Sequence, residues 1–214
     1  MYEVKWDTKH LRASLREVFI MQKERKVNWK ELLFSKTILK KGKAHKIAYI
    51  AVMTALNVVA NMFFEFKLAE TQFSFTIVVS VLTGILLGPL FGLAACFIGD
   101  LVGFLYHSAG FMYMPWIGLS IGLTAFIAGL VMNGINENGK PWLFYIKLAF
   151  VCVTTFLLCT VLINTTAFWL LYAKVDYWTY LVSRLLVQGQ IWNSLVNYAL
   201  LFIIVPMLSK IKLF

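Results

Sequence analysis

The chain carries little charge, and acidic charge is especially scarce. Ten of its 214 residues are Asp or Glu and 20 are Lys or Arg, so that 14% are charged and 60% are hydrophobic. Soluble domains are typically about one quarter charged. Lys, Arg, Asp and Glu are absent from four long stretches: 71–99, 101–136, 148–173 and 185–209. About 20 apolar residues span a bilayer as a helix, so these stretches predict an integral membrane protein and exclude a soluble globular domain.

Sequence motifs for nucleotide hydrolysis and zinc-dependent proteolysis are also missing. The chain contains no GxxxxGK[ST] loop and no HExxH pair, so neither ATP binding of the phosphate-loop type nor zinc-protease chemistry is expected. Cys96, Cys152 and Cys159 lie in apolar runs without metal-ligand spacing, where cysteine behaves as a small hydrophobic residue. We expect a protein that is not an enzyme and that holds no metal or other cofactor of its own.

Positive charge is concentrated before the first apolar helix. Residues 1–46 hold 13 Lys and Arg against five Asp and Glu, whereas residues 47–214 hold seven against five. Basic segments next to a transmembrane helix stay in the cytoplasm and attract anionic lipid, so this excess indicates a membrane edge and not a nucleic-acid-binding surface. We therefore divide the chain into a basic amphipathic N-terminal segment, 1–45, which is cytoplasmic or interfacial, and a membrane domain, 46–214. Docking of a cytosolic partner is an alternative role for the N-terminal segment.

The apolar stretches predict an all-α membrane fold with six transmembrane helices. Polar or aromatic segments and the pair Gly88-Pro89 divide them, because proline cannot continue a helix. The predicted spans are approximately 47–66, 73–87, 90–106, 113–133, 142–165 and 184–208. An even number of spans puts both termini on one side, and the distribution of Lys and Arg among the connections makes that side the cytoplasm.

The three connections that face outward under this topology combine aromatic with hydrogen-bonding side chains. Aromatic residues alone would form an interfacial belt, but polar groups at membrane depth are costly unless they face protein or a wet cavity. A small-molecule site open to the outside accommodates both. Arg184 and Gln188 are four residues apart and would share one face of an α-helix, where Arg184 could hold a carboxylate; snorkelling of Arg184 to lipid headgroups is the alternative. The candidate substrate-binding residues are His107, Tyr113, Trp116, Asn164, Trp169, Arg184 and Gln188.

Two further features concern helix packing. Ala51 and Ala55 form a small-xxx-small face on the first helix, which lets helices approach closely in lipid. Asp100, with Gly99 and Gly103 beside it, lies in an otherwise uncharged helix. A buried carboxyl must be paired, solvated or protonated, so we expect a structural polar anchor. Proton coupling is the alternative, although no other span contributes a companion acid.

Residues 46–208 resemble the substrate-binding S components of energy-coupling factor (ECF) transporters, particularly the folate-family group. Four segments carry the likeness, in this order: AVMTA at 51–55, GILLGPLFGLAACFIGDLVGFL at 84–105, AGFMYMPWIGLSIGLTAFIAGLV at 109–131 and LINTTAFWLLYAKVDYWTYLVSRLLVQ at 162–188. They are similar to that group's small-residue face on helix 1, its glycine-proline turn with a following aspartate, its aromatic loop before helix 4, and its asparagine-threonine stretch leading to an arginine at helix 6.

The resemblance implies a protein that binds a vitamin from outside and works with a transmembrane coupling subunit and two ATPase subunits. The face of Ala51 and Ala55 would contact the coupling subunit, and the partners would hydrolyse ATP. Folate or a related aromatic carboxylate is the first substrate it suggests. Pantothenate, cobalamin or another vitamin stays open, because LLVQGQIWNSL after Arg184 lacks the proline and charged residues that folate-specific members tend to carry. A self-sufficient carrier or channel and a membrane scaffold are the alternatives outside the family.

Overall fold

The computed structural model describes residues 33–63, 65–68, 71–106, 112–134 and 141–210. They form a bundle of membrane helices with one short β-hairpin. In chain order the elements are α1 (Lys36–Leu39), α2 (Lys43–Phe63), β1 (Glu65–Leu68), β2 (Thr71–Ser74), α3 (Thr76–Leu87), α4 (Pro89–Tyr106), α5 (Pro115–Gly134), α6 (Pro141–Thr155), the π-helix π1 (Phe156–Thr165), α7 (Thr166–Tyr172), α8 (Tyr177–Val182), the π-helix π2 (Ser183–Val187) and α9 (Gln190–Lys210).

The prediction of a helical membrane fold is confirmed, with one element shorter than a full span. Within the described ranges, five helices are long and apolar enough to cross a membrane: Lys43–Phe63, Pro89–Tyr106, Pro115–Asn133, Trp142–Tyr172 and Gln190–Ser209. The predicted second span corresponds to α3, which has 12 residues. At 1.5 Å per residue α3 is about 18 Å long, against a hydrocarbon core of about 30 Å. It starts late because the chain before it is a β-strand.

A β-hairpin replaces the plain connection expected at KLAETQ, residues 67–72. β1 and β2 pair antiparallel, with Glu65 opposite Ser74. The hairpin is attached to the last helix by backbone hydrogen bonds of Ser74. Its N–H donates to Asn193 Oδ1 over 3.0 Å, and its carbonyl oxygen accepts a hydrogen bond of 2.7 Å from Asn197 Nδ2. These bonds fix the hairpin over one end of the bundle.

Residues just before the first long helix belong to the packed structure. Ile38 is 1% exposed and lies in an apolar cluster with Leu87. The ring centroids of Phe34 and Phe91 are 4.8 Å apart, and the Ser35 N–H donates to the Leu87 carbonyl over 3.4 Å. We call Phe34, Ser35 and Ile38 the N-terminal anchor. It covers the turn between α3 and α4.

Gly88 makes this close contact possible. Its φ of +88° lies in the left-handed region that favours glycine. A Cβ at this position would collide with the backbone of Phe34 and Ser35. α3 ends at Leu87 and α4 begins at Pro89, as the Gly88-Pro89 pair predicted.

The N-terminal anchor leads to a prediction about truncation. Deleting residues 1–32 leaves Phe34, Ser35 and Ile38 and the contacts described above in place, so the shortened protein is expected to keep the thermal stability of the full chain. Deleting residues 1–41 removes Phe34 and Ile38, and loss of a large buried apolar side chain costs about 2–5 kcal/mol of folding free energy. Thermal unfolding in detergent, followed by tryptophan fluorescence, compares the two truncations. Ile38→Ala in the full chain is the control and should reproduce part of the loss; equal stability of both truncations would contradict the prediction.

Helices α2 to α5 approach one another through small residues. A Cβ built on Gly84 of α3 would overlap the backbone of Ala125 on α5, and one built on Gly99 of α4 would lie 2.7 Å from the Asn57 Cβ on α2. Close contacts of this kind drive helix association in lipid, where no hydrophobic force operates between helices. The remaining core is a buried apolar cluster of Val78, Val81, Ile85, Ala128, Val131, Leu148, Val151, Cys152, Leu201 and Val205.

The last two spans differ in detail from the prediction. α6, π1 and α7 follow one another without a break to Tyr172, beyond the predicted end at Thr165. The last long helix begins at Gln190 and not at Arg184, because Gly189 interrupts the chain with a φ of +70°. Arg184 therefore lies in π2. π-helices are rare and are frequent at functional sites.

Candidate functional site

The candidate residues gather at the end of the bundle that carries the hairpin. The directions of the helices bring the hairpin, the C-terminal half of α4, the start of α5, the segment 164–189 and the first turns of α9 to this end, which we call the hairpin end. Hydrogen bonds connect the hairpin with α9, and Tyr113 with Asp100 of α4. Six of the seven predicted substrate-binding residues are described, and all six lie there. The seventh, His107, lies outside the described residues.

Asp100 on α4 accepts hydrogen bonds from α2 and from the segment before α5. Its Oδ1 accepts from Asn61 Nδ2 of α2 over 3.3 Å, and its Oδ2 accepts from the Tyr113 hydroxyl over 3.2 Å. The carboxyl is 8% exposed. Burial of the phenol and the nearby Asp100 raise the pKa of Tyr113 to about 12, so the hydroxyl remains a donor at neutral pH. Asp100 thus connects α2, α4 and the entry to α5, and Tyr113 is held against it.

Trp116 and Asn164 lie at the same height on facing helices. The Ser120 hydroxyl on α5 donates to the Cys159 carbonyl on π1 over 3.3 Å, which fixes these antiparallel helices against each other. Trp116 on α5 and Asn164 on π1 each lie about one helical turn from that contact, towards the hairpin end. The Trp116 Nε1 and the Asn164 Oδ1 are buried, and neither has a hydrogen-bond partner among the described residues.

Arg184 is a buried cation held against an aromatic ring. Its side chain is 8% exposed. The guanidinium carbon lies 4.1 Å from the centroid of the Phe168 ring on α7, and Nη1 donates to the Tyr180 hydroxyl over 3.4 Å. Arg184 Nε is buried without a hydrogen-bond partner, and no acidic side chain in the described ranges forms an ion pair with the guanidinium. A cation desolvated in this way favours an anion beside it.

Trp169 is hydrogen-bonded to, and packed against, the loop that follows it. Its indole N–H donates to the Val175 carbonyl over 2.9 Å, and its ring meets Tyr177 edge to face at 5.4 Å. Asp176 caps α8 by accepting hydrogen bonds from the Thr179 hydroxyl and amide, which lower the pKa of its carboxyl. The polar atom of Trp169 is therefore already paired within the loop, unlike those of Trp116, Asn164 and Arg184.

The expectation that Arg184 and Gln188 share a helix face assumed an α-helix, and the segment that holds them is a π-helix. Residues 183–187 are π-helical, and the Gln188 N–H bonds the Ser183 carbonyl five residues earlier over 3.0 Å. One turn of a π-helix is slightly longer than four residues, so residues four apart still lie close to one face. Gln188 lies at the end of π2, and its role in binding stays a prediction.

Residues 118–122 read GLSIG and match the GxSxG spacing of hydrolase nucleophiles. That motif acts on a sharp turn between a strand and a helix, where the serine is exposed. Ser120 instead lies inside α5, is 2% exposed and donates to the Cys159 carbonyl. The serine therefore packs two helices together and has no geometry for nucleophilic attack.

Comparison with known proteins identifies the family. Residues 41–211 match the family described as the S component of the ECF-type riboflavin transporter. The chain belongs to this family. Among solved structures it is similar to FolT, crystallised with folic acid, with a TM-score of 0.59 and 22% identity over 75% of this chain and 92% of that chain. This likeness shows a shared fold. A comparison with curated proteins gives no match.

The resemblance seen in the sequence is thus confirmed. The protein is a multi-pass membrane S component, a vitamin-binding subunit that associates with an ECF module. The candidate partner face of this S component lies on the outside of α2. Ala51 and Ala55 are both exposed there, next to Val52, which is 66% exposed. Within the described part of the chain, no helix covers them.

Three residues near the site were missed in the sequence. Phe168 lies four residues after Asn164 and Tyr180 four residues before Arg184, so helical spacing could have pointed to both. Ser194 on α9 is 2% exposed, and its hydroxyl has no hydrogen-bond partner among the described residues. A serine in an apolar helix gives no signal in the sequence that distinguishes it from a packing residue.

Proposed function

We propose that this S component binds folate, or a vitamin that similarly joins an anionic group to a flat aromatic ring. The observation that carries the proposal is Arg184. A buried guanidinium that stacks on Phe168 and lacks an acidic partner among the described residues has the properties required to bind a carboxylate. The aromatic rings around it suit the flat part of such a ligand.

Riboflavin is the second candidate, because the family is described by that vitamin. Riboflavin carries a flat ring but no anionic group, so it would leave the guanidinium without a counter-charge. FolT, which shares the fold, is bound with folic acid. The charge of Arg184 is therefore the feature that favours folate over riboflavin.

The proposed orientation puts the hairpin end outside the cell and both termini in the cytoplasm. The uneven distribution of Lys and Arg supports it. A coupling subunit and two ATPase subunits would supply the energy, since the chain has no phosphate-binding loop of its own. The Ala51 and Ala55 face is the proposed contact with the coupling subunit.

Ligand binding to the isolated protein tests the proposal. The purified S component is expected to bind one folic acid per chain without ATP, and to bind it more tightly than riboflavin, pantothenate or cobalamin. Isothermal titration with the four vitamins gives the order of their affinities. Mass spectrometry of freshly purified protein identifies any ligand that is already bound. Tighter binding of riboflavin than of folic acid would contradict the folate proposal. Vitamin flux through liposomes that contain this chain alone would indicate a self-sufficient carrier.

A further inference from the structure

Ser194 carries a buried polar atom that the fold does not use. Its hydroxyl is buried and unpartnered among the described residues. Its neighbours on the inner face of α9 differ, because Asn193 and Asn197 both bond Ser74 of the hairpin. A buried hydroxyl without a hydrogen bond destabilises the folded protein. A bound ligand that forms a hydrogen bond with this hydroxyl removes the destabilisation.

The height of Ser194 in the bundle follows from a contact one turn away. The Tyr198 hydroxyl on α9 lies 3.3 Å from Thr155 Oγ1 on α6. The two helices run antiparallel, so one turn towards the hairpin end brings Ser194 level with Cys159 on the neighbouring helix. That is the height at which Ser120 holds α5 against π1. Ser194 is thus one turn deeper than Asn164.

The unpartnered groups therefore occupy three successive levels. Arg184 lies outermost, on Phe168; Trp116 and Asn164 come one turn deeper; and Ser194 lies deepest. From the level of Phe168 to that of Ser194 is about two helical turns, or roughly 10 Å. A guanidinium at one end and neutral groups below it match an elongated molecule with an anionic end.

We infer that Ser194 is the innermost hydrogen-bonding residue of the vitamin site. The ligand then lies along the bundle axis, with its anionic end on Arg184 and its aromatic ring reaching Ser194. The Trp116 indole only donates, the Asn164 Oδ1 only accepts, and the Ser194 hydroxyl does either. Together they fit a heteroaromatic ring whose edge carries adjacent donors and acceptors. The inference rests on the proposed function and assigns a residue to the same site.

The experiment compares Ser194→Ala with Ser80→Ala. Both serines are buried, but the Ser80 hydroxyl donates to the Thr76 carbonyl over 2.7 Å. Ser194→Ala is expected to leave the melting temperature of the ligand-free protein unchanged or raised, and to weaken folic acid binding about tenfold. Ser80→Ala is expected to lower the melting temperature and leave affinity unchanged. Because Ser194 and Arg184 contact opposite ends of the ligand, the losses in Ser194→Ala and Arg184→Ala should add.

Each result has one reading. Unchanged folic acid affinity in Ser194→Ala, with a large loss in Arg184→Ala, overturns the inference and leaves the proposed function intact. A lower melting temperature in Ser194→Ala also overturns it, because the hydroxyl would then be structural. If Ser194→Ala does not fold, Ser194→Cys, which is nearly isosteric and a weak donor, should fold and bind more weakly. If the wild-type protein binds riboflavin and not folic acid, the folate proposal fails. Ser194→Ala should then still weaken riboflavin binding about tenfold.

Discussion

Replacing Arg184 with alanine is expected to weaken folic acid binding by about 30- to 4,000-fold. Removing one partner of a desolvated charge pair costs about 2–5 kcal/mol, and each 1.4 kcal/mol is a factor of ten. Among the described residues at the hairpin end, Arg184 is the buried cation, and its guanidinium stacks on the Phe168 ring. Isothermal titration of the purified variant with folic acid measures the loss.

Lys174 provides the matched control. It is a cation of the same outer connection, but it is exposed, and charges in water contribute little to binding. Lys174→Ala should therefore bind folic acid with nearly unchanged affinity. Arg184→Lys keeps the charge but loses the planar fork and the ring stacking. Its affinity for folic acid should therefore lie between those of the wild type and Arg184→Ala. If Arg184→Ala and Lys174→Ala bind folic acid alike, Arg184 has no part in the site, and its contacts with Phe168 and Tyr180 are structural.

Much of the fold could be predicted because a bilayer imposes simple rules on a sequence. Long uncharged stretches predicted the apolar helices, and the Gly88-Pro89 pair predicted where α3 ends. Those signals depend only on hydrophobicity and on the missing N–H of proline. The hairpin could not be predicted in the same way. Its strands have four residues each, and what fixes it is a pair of asparagines more than 100 residues later in the chain.

The same limit applies to the site. Trp116, Asn164 and Arg184 stood out because polar or aromatic residues at membrane depth need a reason, and each has a buried atom without a partner among the described residues. Their relative heights could not be predicted, because π1 and π2 change the spacing of residues along the helix. Composition does not distinguish a π-helix from an α-helix.

Replacing Ala51 and Ala55 with tryptophan is expected to abolish vitamin uptake while leaving vitamin binding unchanged. Both alanines are exposed on α2, and small residues let a partner helix approach closely in lipid. Overfilling a packed interface costs about 1–3 kcal/mol per site, which corresponds to about 5- to 150-fold in association. Two such substitutions act on the same contact, so the amount of assembled transporter should fall below the detection limit.

Leu56→Trp is the matched control for this prediction. It adds the same ring to an exposed position of the same helix, but at 100° per residue it points about 140° away from Ala51. Co-purification of the coupling and ATPase subunits with each variant measures assembly, and folic acid titration measures binding. The alanine face is the partner contact if the double variant alone loses its partners. If Leu56→Trp loses the coupling and ATPase subunits equally, any added bulk on α2 disturbs assembly. If the double variant keeps these subunits, the contact with the coupling subunit lies on another face of the protein.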